Sequence, residues 1–180
     1  MEEPSDEELM ARIAAADTRA FETLSGRHLE GAFRLAFRIT RNAADADEVV
    51  QEAMLRVWVN APRWRPEAAF RTWLYRVLVN LCLDRRRHAP FSALEAAGDP
   101  PDDAPDAVAR LEADETARLV GAALAALPER QRVALVLTYY EGLSNAETAA
   151  IMASSVSGIE ALLVRAKRAL RRSLGRLMES

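Results

Sequence analysis

A basic cluster lies near the C-terminal end of this 180-residue chain, in Arg165, Lys167, Arg168, Arg171, Arg172 and Arg176. Ile159, Leu162, Leu163, Ala166, Leu170, Leu174 and Leu177 recur at helical spacing among them, which predicts a helix from about Ser155 to Met178 with an apolar stripe and a basic flank. Such a helix docks on its own domain and offers guanidinium groups to a polyanion, although taken alone it is more often a solvated face. A second cluster, Asn60-Ala61-Pro62-Arg63-Trp64-Arg65-Pro66, holds an indole between two arginines in a loop stiffened by two prolines. Arginine neutralises phosphate, and an indole offers an unstacked base a flat face worth about 1–3 kcal/mol, so this loop suits a single nucleic-acid strand. Arg71, Arg76 and Asn80 continue the theme downstream. There Phe70, Trp73 and Leu74 recur at a spacing that more often marks a core, so Trp64 is the tryptophan expected to be exposed.

These groups need elements to hold them. Ser144-Asn145-Ala146-Glu147 has the Ser-x-x-Glu form of a capping box and opens a short helix that breaks at Ala153-Ser154-Ser155. A short helix, a tight turn and a longer basic helix make a helix-turn-helix, whose second helix lies in the DNA major groove. Upstream, helices are predicted from Ser5 to Ala15, with Ser5 and Glu8 at capping-box spacing, from about Thr18 to Ile39, from after Asn42 through Trp58, and from about Glu67 to Arg87. Strand-type alternation is not sustained anywhere, so the fold class is all-α. Gly98-Asp99-Pro100-Pro101-Asp102-Asp103-Ala104-Pro105 has breaker chemistry. The expected organisation is a helical domain over residues 1–89, a flexible, acidic, Pro-rich linker over 90–111, and a smaller helical domain over 112–180.

A net charge of −3 looks wrong for a protein that meets DNA until the charges are placed. Acidic residues gather at the N-terminus and again at Glu95, Asp99, Asp102, Asp103, Asp106, Glu112, Asp114 and Glu115, whereas Arg56, Arg63, Arg65, Arg71, Arg76, Arg85, Arg86 and Arg87 form a basic block. That segregation sets the local field. The N-terminus is acidic where a secretory signal would be basic and then apolar, and no run of about eighteen apolar residues suggests a membrane span, so a cytoplasmic location is expected. Cys82, in an apolar stretch, reads as a buried thiol, and His28 and His88 lack neighbours at metal-ligand spacing. Neither a metal nor a cofactor is expected. An enzyme acting on nucleic acid is disfavoured, for there is no phosphate-binding glycine loop and no nucleophile beside a base.

At the level of whole segments, Asp47-Glu48-Val49-Val50-Gln51-Glu52-Ala53-Met54-Leu55-Arg56-Val57-Trp58, Phe70 to Arg76 and Asn80-Leu81-Cys82-Leu83-Asp84-Arg85-Arg86-Arg87 resemble region 2 of bacterial sigma factors of the extracytoplasmic-function class. Leu127-Pro128-Glu129-Arg130-Gln131-Arg132, Tyr140-Glu141-Gly142-Leu143-Ser144 and the closing helix resemble region 4 of that class, in the right order. The resemblance implies a specificity subunit of RNA polymerase: a region 2 helical bundle and a region 4 helix-turn-helix. It implies core polymerase contacts at Glu48, Gln51, Glu52, Leu55 and Arg56, where a carboxylate row accepts from basic side chains and adjacent apolar positions fill the centre of the contact. Asp45, Asp47 and Glu48 would equally favour a helix N-terminus on their own account. By the same resemblance, Asn60, Arg63, Trp64, Arg65, Arg71, Arg76 and Asn80 would recognise and open the minus-10 element, where an extruded base must be held.

For the minus-35 element the resemblance points to Ser155, Ser157, Glu160, Ala161, Val164, Arg165, Arg168, Arg171 and Arg172. The chain departs from the family there, with Glu160, Ala161 and Leu162 where many members place a basic residue, a serine and an arginine. Glu160 either accepts from a cytosine amino group or caps the helix as partner of Ser157. From Arg165 onward the basic residues are expected to grip phosphate. Few residues follow this helix, so no fused sensor domain is expected, and control by a separate anti-sigma factor is what the resemblance implies. The rival function is a helix-turn-helix regulator that never joins core polymerase, which would need neither the Gln51-Glu52 helix nor the Trp64 loop.

Overall fold

The computed structural model describes residues 3–88 and 118–178, and every regular element in them is helical. The expected linker and its acidic run lie outside the described residues, as do the side chains of Arg86, Arg87 and Arg176. The chain packs as two units, one built on Met1–Pro90 and one on Phe91–Ala149 with Ser154–Ser180.

In the first unit, α1 (Asp6–Ala14) starts at a complete capping box. Ser5 Oγ accepts from the Glu8 amide at 3.2 Å, and the Ser5 amide donates to Glu8 Oε2 at 2.7 Å. The Ser5 amide bond is the first cause, and the Ser5 hydroxyl the second, of a Glu8 carboxyl held below its usual range. Ala16, at φ 63°, turns the chain into α2 (Thr18–Thr40). That helix is capped by Asp17, which accepts from the Arg19 and Ala20 amides at 3.0 and 3.1 Å and pairs with Arg12 at 2.8 Å. Asn42 caps α3 (Ala43–Asn60) by accepting from the Asp45 amide at 3.1 Å. A 3-10 turn, Ala61–Arg63, follows with Pro62 inside it, where no amide is missed.

The last helix of this unit, α4 (Phe70–His88), begins three residues later than Glu67, where the sequence placed it. Its first turn is completed from elsewhere in the chain, because the Phe70 amide donates to Glu7 Oε1 of α1 at 3.3 Å. A carboxylate at that end also complements the helix dipole. α2 packs against α1, α3 and α4. Leu9, Met10, Leu24, Leu35, Ile39, Met54, Val57, Phe70, Leu74 and Leu78 fill the space between the four helices, and Cys82 is buried with them.

The second unit begins, among described residues, with a helix over 118–125, here α5. α6 (Glu129–Leu135) follows and widens into a π-type turn, Val136–Tyr140. Arg132 is buried in this unit, and its Nη1 donates to the Ala125 carbonyl at 3.0 Å, satisfying an acceptor that the end of α5 leaves open. Gly142 takes φ 67°, a left-handed turn that glycine adopts without a Cβ clash. Ser144 and Glu147 then form the second capping box, with the Glu147 amide donating to Ser144 Oγ at 3.2 Å and the Ser144 amide to Glu147 Oε2 at 2.8 Å. It opens α7 (Asn145–Ile151), which meets α8 (Val156–Met178) at 101°. This angle and the short turn are those of a helix-turn-helix. Ile159, Leu163 and Ala166 of α8 are buried, whereas Leu162, Leu170 and Leu174 are half-buried along the same stripe. No single described helix is long and apolar enough to cross a membrane.

Candidate partner and nucleic-acid interfaces

Along α3, Glu48, Gln51, Glu52, Leu55 and Arg56 fall within an arc of about 140° at roughly 100° per residue. Gln51 and Glu48 are exposed, and Leu55 is 56% exposed. Val59, one turn beyond Leu55, is 62% exposed and was missed from sequence, although its i+4 spacing from Leu55 was the available signal. The opposite face, with Ala46, Val49, Val50, Ala53, Met54 and Val57, is buried. Polar members of the stripe are already organised. Glu52 accepts from Arg56 Nε at 2.9 Å, and Glu48 pairs with Arg85 of α4, whose Nε also donates to Asp45 at 2.7 Å. The Asp45 hydrogen bond leads the causes that raise the Arg85 pKa. Asp45 and Glu48 therefore tie α3 to α4 in addition to lying near a helix N-terminus, and Arg85 of the basic block is committed within the domain.

In the loop, Arg63 and Arg65 are exposed, while Trp64 is half-buried in a T-shaped contact with Phe70, centroids 6.3 Å apart. The expectation of an exposed indole is thus corrected: Trp64 covers part of its apolar surface against a neighbouring ring. Asn60 donates from Nδ2 to the Arg56 carbonyl at 2.8 Å, closing the end of α3. Phe70 and Leu74 are core, as their spacing predicted, and Trp73 is half-buried. Phe70 collects rings from three directions: Trp64, Trp73 at 5.9 Å and His28 at 5.1 Å. His28 is itself held by Asp6 at 2.7 Å. On α4, Arg76 and Asn80 are exposed about 40° apart, whereas Arg71 points about 140° away from Arg76, with its guanidinium 5.0 Å over the Tyr75 ring. The seven expected minus-10 residues therefore occupy a loop and two directions of α4 rather than one face.

On α8 the expected residues do share a face. Ser157, Glu160, Ala161, Val164, Arg165, Arg168, Arg171 and Arg172 span about 140° of arc, opposite the buried stripe. Apart from partly exposed Ala161, all of these are exposed. The structure decides how the helix is capped. Ser155 Oγ accepts from the Gly158 amide at 3.1 Å and lies 3.1 Å from Ser157 Oγ, so Ser155 is the cap and Val156 the first helical residue. Capping by Ser157 with Glu160 is overturned, because both already lie inside the helix. A Cβ at Gly158 would come 2.7 Å from Ser154 Oγ, which keeps this turn narrow. Lys167, just off the face, lies 4.9 Å over the half-exposed Tyr139 ring, a contact the sequence did not signal. Among the described residues, no cluster of three or more His, Cys, Asp or Glu could hold a metal ion.

Two helical units, one offering an apolar and acidic helix face beside an Arg-Trp loop, the other ending in a helix-turn-helix with a basic outer face, define a bipartite DNA-binding protein with a protein partner. Comparison with known proteins places it. Residues 24–90 match sigma-70 region 2, and residues 117–170 match sigma-70 region 4. The chain is 39% identical over 178 residues to the ECF RNA polymerase sigma factor SigM of Mycobacterium tuberculosis, covering 97% of this chain and 87% of that protein. It is 28% identical to the ECF RNA polymerase sigma factor SigW of Bacillus subtilis, over 91% of this chain and 93% of the relative. CnrH, solved in complex with the cytosolic domain of CnrY, superposes with a TM-score of 0.71 at 28% identity, covering 96% of this chain and 99% of CnrH. The chain belongs to the sigma-70 family, in its extracytoplasmic-function class, and is a promoter-specificity subunit of RNA polymerase. A helix-turn-helix regulator that never joins polymerase is set aside, since region 2 accounts for most of the first unit.

Proposed function

We propose that the two units divide promoter recognition, with residues 1–89 binding core polymerase and the minus-10 element, 112–180 binding the minus-35 element, and 90–111 linking them. One observation carries the reading: α3, buried along one side, exposes Leu55 and Val59 between Glu48, Gln51, Glu52 and Arg56 on the other. An apolar centre rimmed by acidic and amide groups is the form of a protein interface, and a DNA-only regulator has no use for it. Arg63, Trp64 and Arg65 engage the opened minus-10 strand, with Arg71 at the start of α4 and Arg76 and Asn80 further along it; Asn60 shapes the loop's entrance. Trp64 needs only to swing away from Phe70 to stack on a base. α8 enters the major groove with Ser157, Glu160, Ala161 and Val164 towards the bases and Arg165, Arg168, Arg171 and Arg172 towards phosphates, while Ser155 holds its first turn.

The protein acts in the cytoplasm as an initiation factor with no catalytic step of its own. An anti-sigma factor controls it by covering the α3 face. Support comes from CnrH, captured in complex with the cytosolic domain of CnrY. Reconstitution with core polymerase tests the reading. Parent chain forms a stoichiometric holoenzyme and renders promoter thymines reactive to permanganate, whereas Trp64→Ala retains closed-complex binding and loses most of that reactivity. Normal opening by Trp64→Ala would remove the indole from the melting step.

A further inference from the structure

Because Ser155 caps α8, Glu160 is free of that duty. Its carboxylate is exposed in the second turn, and its helical neighbours three and four residues away are Val156, Ser157, Leu163 and Val164, none of them basic. An anion on a face that carries Arg165, Arg168 and Arg171 must meet a donor, or it repels the phosphates those arginines attract. Beside it the surface is apolar where a solvated helix would be polar: Val164 is 56% exposed and Ala161 is partly exposed. The major-groove floor offers amino donors on cytosine N4 and adenine N6, and one apolar group, the thymine C5 methyl. Adenine sets its N7 acceptor beside N6, which a carboxylate would meet lone pair to lone pair, so cytosine is the better partner.

We infer that Glu160 accepts from a cytosine N4 amino group in the upstream element and that Ala161 and Val164 enclose the C5 methyl of a nearby thymine. The inference rests on the reading of α8 as the major-groove helix. Four helical residues rise about 6 Å and successive bases about 3.4 Å, so the two bases lie within about two steps of each other. Glu160 and Val164 therefore carry specificity, while Arg168 and Arg171 supply affinity.

The test uses holoenzyme made with the full chain. Duplexes selected from a randomised upstream element carry a cytosine and a thymine within about two base steps. Replacing that thymine with uracil removes only the methyl and lowers affinity about fourfold, and the Val164→Ala chain no longer distinguishes the two bases. Glu160→Gln moves the preference at the cytosine position to adenine, whose N6 and N7 suit a carboxamide, changing discrimination by roughly tenfold. Equal affinity for thymine and uracil at every position, or undiminished discrimination in Val164→Ala, overturns the apolar contact. An unchanged cytosine preference in Glu160→Gln overturns the carboxylate contact. The underlying reading fails separately: affinity for every duplex would be untouched by replacing Arg168 and Arg171 with alanine.

Discussion

Replacing Leu55 and Val59 together with alanine removes the apolar centre of the exposed α3 face and touches nothing in the core. The two side chains are 56% and 62% exposed, so that fraction is what a partner can still cover. Taking full burial as about 2.5 kcal/mol for leucine and about 1.5 kcal/mol for valine, the exposed parts are worth roughly 1.4 and 0.9 kcal/mol. Alanine keeps its Cβ, which leaves a loss of roughly 2 kcal/mol, or about 30-fold in Kd for core polymerase. Fluorescence anisotropy of the labelled chain titrated with core enzyme measures it, and thermal melting of the free chain supplies the control. Melting should not change, since neither side chain is buried. A Kd within about threefold of the parent value, with melting unchanged, would refute the assignment of this face to polymerase. A lowered midpoint would instead mean that both side chains support the fold.

Three further outcomes follow from the same contacts. Substituting Arg168→Ala with Arg171→Ala weakens binding to all upstream sequences alike and reduces the slope of log affinity against log salt by roughly 2; a loss confined to some sequences would make these arginines base readers. Ser155→Ala removes the Gly158 amide's acceptor and costs about 1 kcal/mol, visible in the melting of the second unit, whereas Ser157→Ala costs much less; equal effects would deny Ser155 the cap. The Arg12 side chain first, and then the Ala20 amide, hold the Asp17 carboxyl below its usual 3.8. A carboxylate with a lowered folded pKa contributes stability above its unfolded pKa and loses it as pH falls through the folded value. Asparagine still caps α2, so the difference in thermal midpoint between parent and Asp17→Asn closes as pH falls below about 4; a difference that persists there would assign it to packing rather than charge.

Local chemistry is what the chain displays most openly. Ser5 with Glu8 and Ser144 with Glu147 satisfy each other across a single turn, so both helix starts could be read without any tertiary information. The stripe of α8 was equally readable, because Ile159, Leu163 and Ala166 repeat at the helical period and are buried together. The start of α4 was not. Its cap comes from Glu7, sixty-three residues earlier, and nothing near Phe70 announces it. Arg85 looked like part of a basic block until Asp45 and Glu48 of another helix took it up. Arg132 read as one polar residue of a motif, yet it is buried against the end of α5.

By itself, the sequence determined the all-α class, the helix-turn-helix, the family and the set of side chains available for polymerase and DNA, since these depend on period, capping and motif order along the chain. Tertiary structure alone decided which of those side chains are still available. It committed Arg85, Arg132 and part of Glu48 to other helices, leaned Trp64 on Phe70, gave the cap of α8 to Ser155, and left Glu160 and Val164 facing outward. The physical reason is that a charge or an aromatic ring takes whichever partner the fold brings within a few ångströms, and that proximity is not written in local spacing.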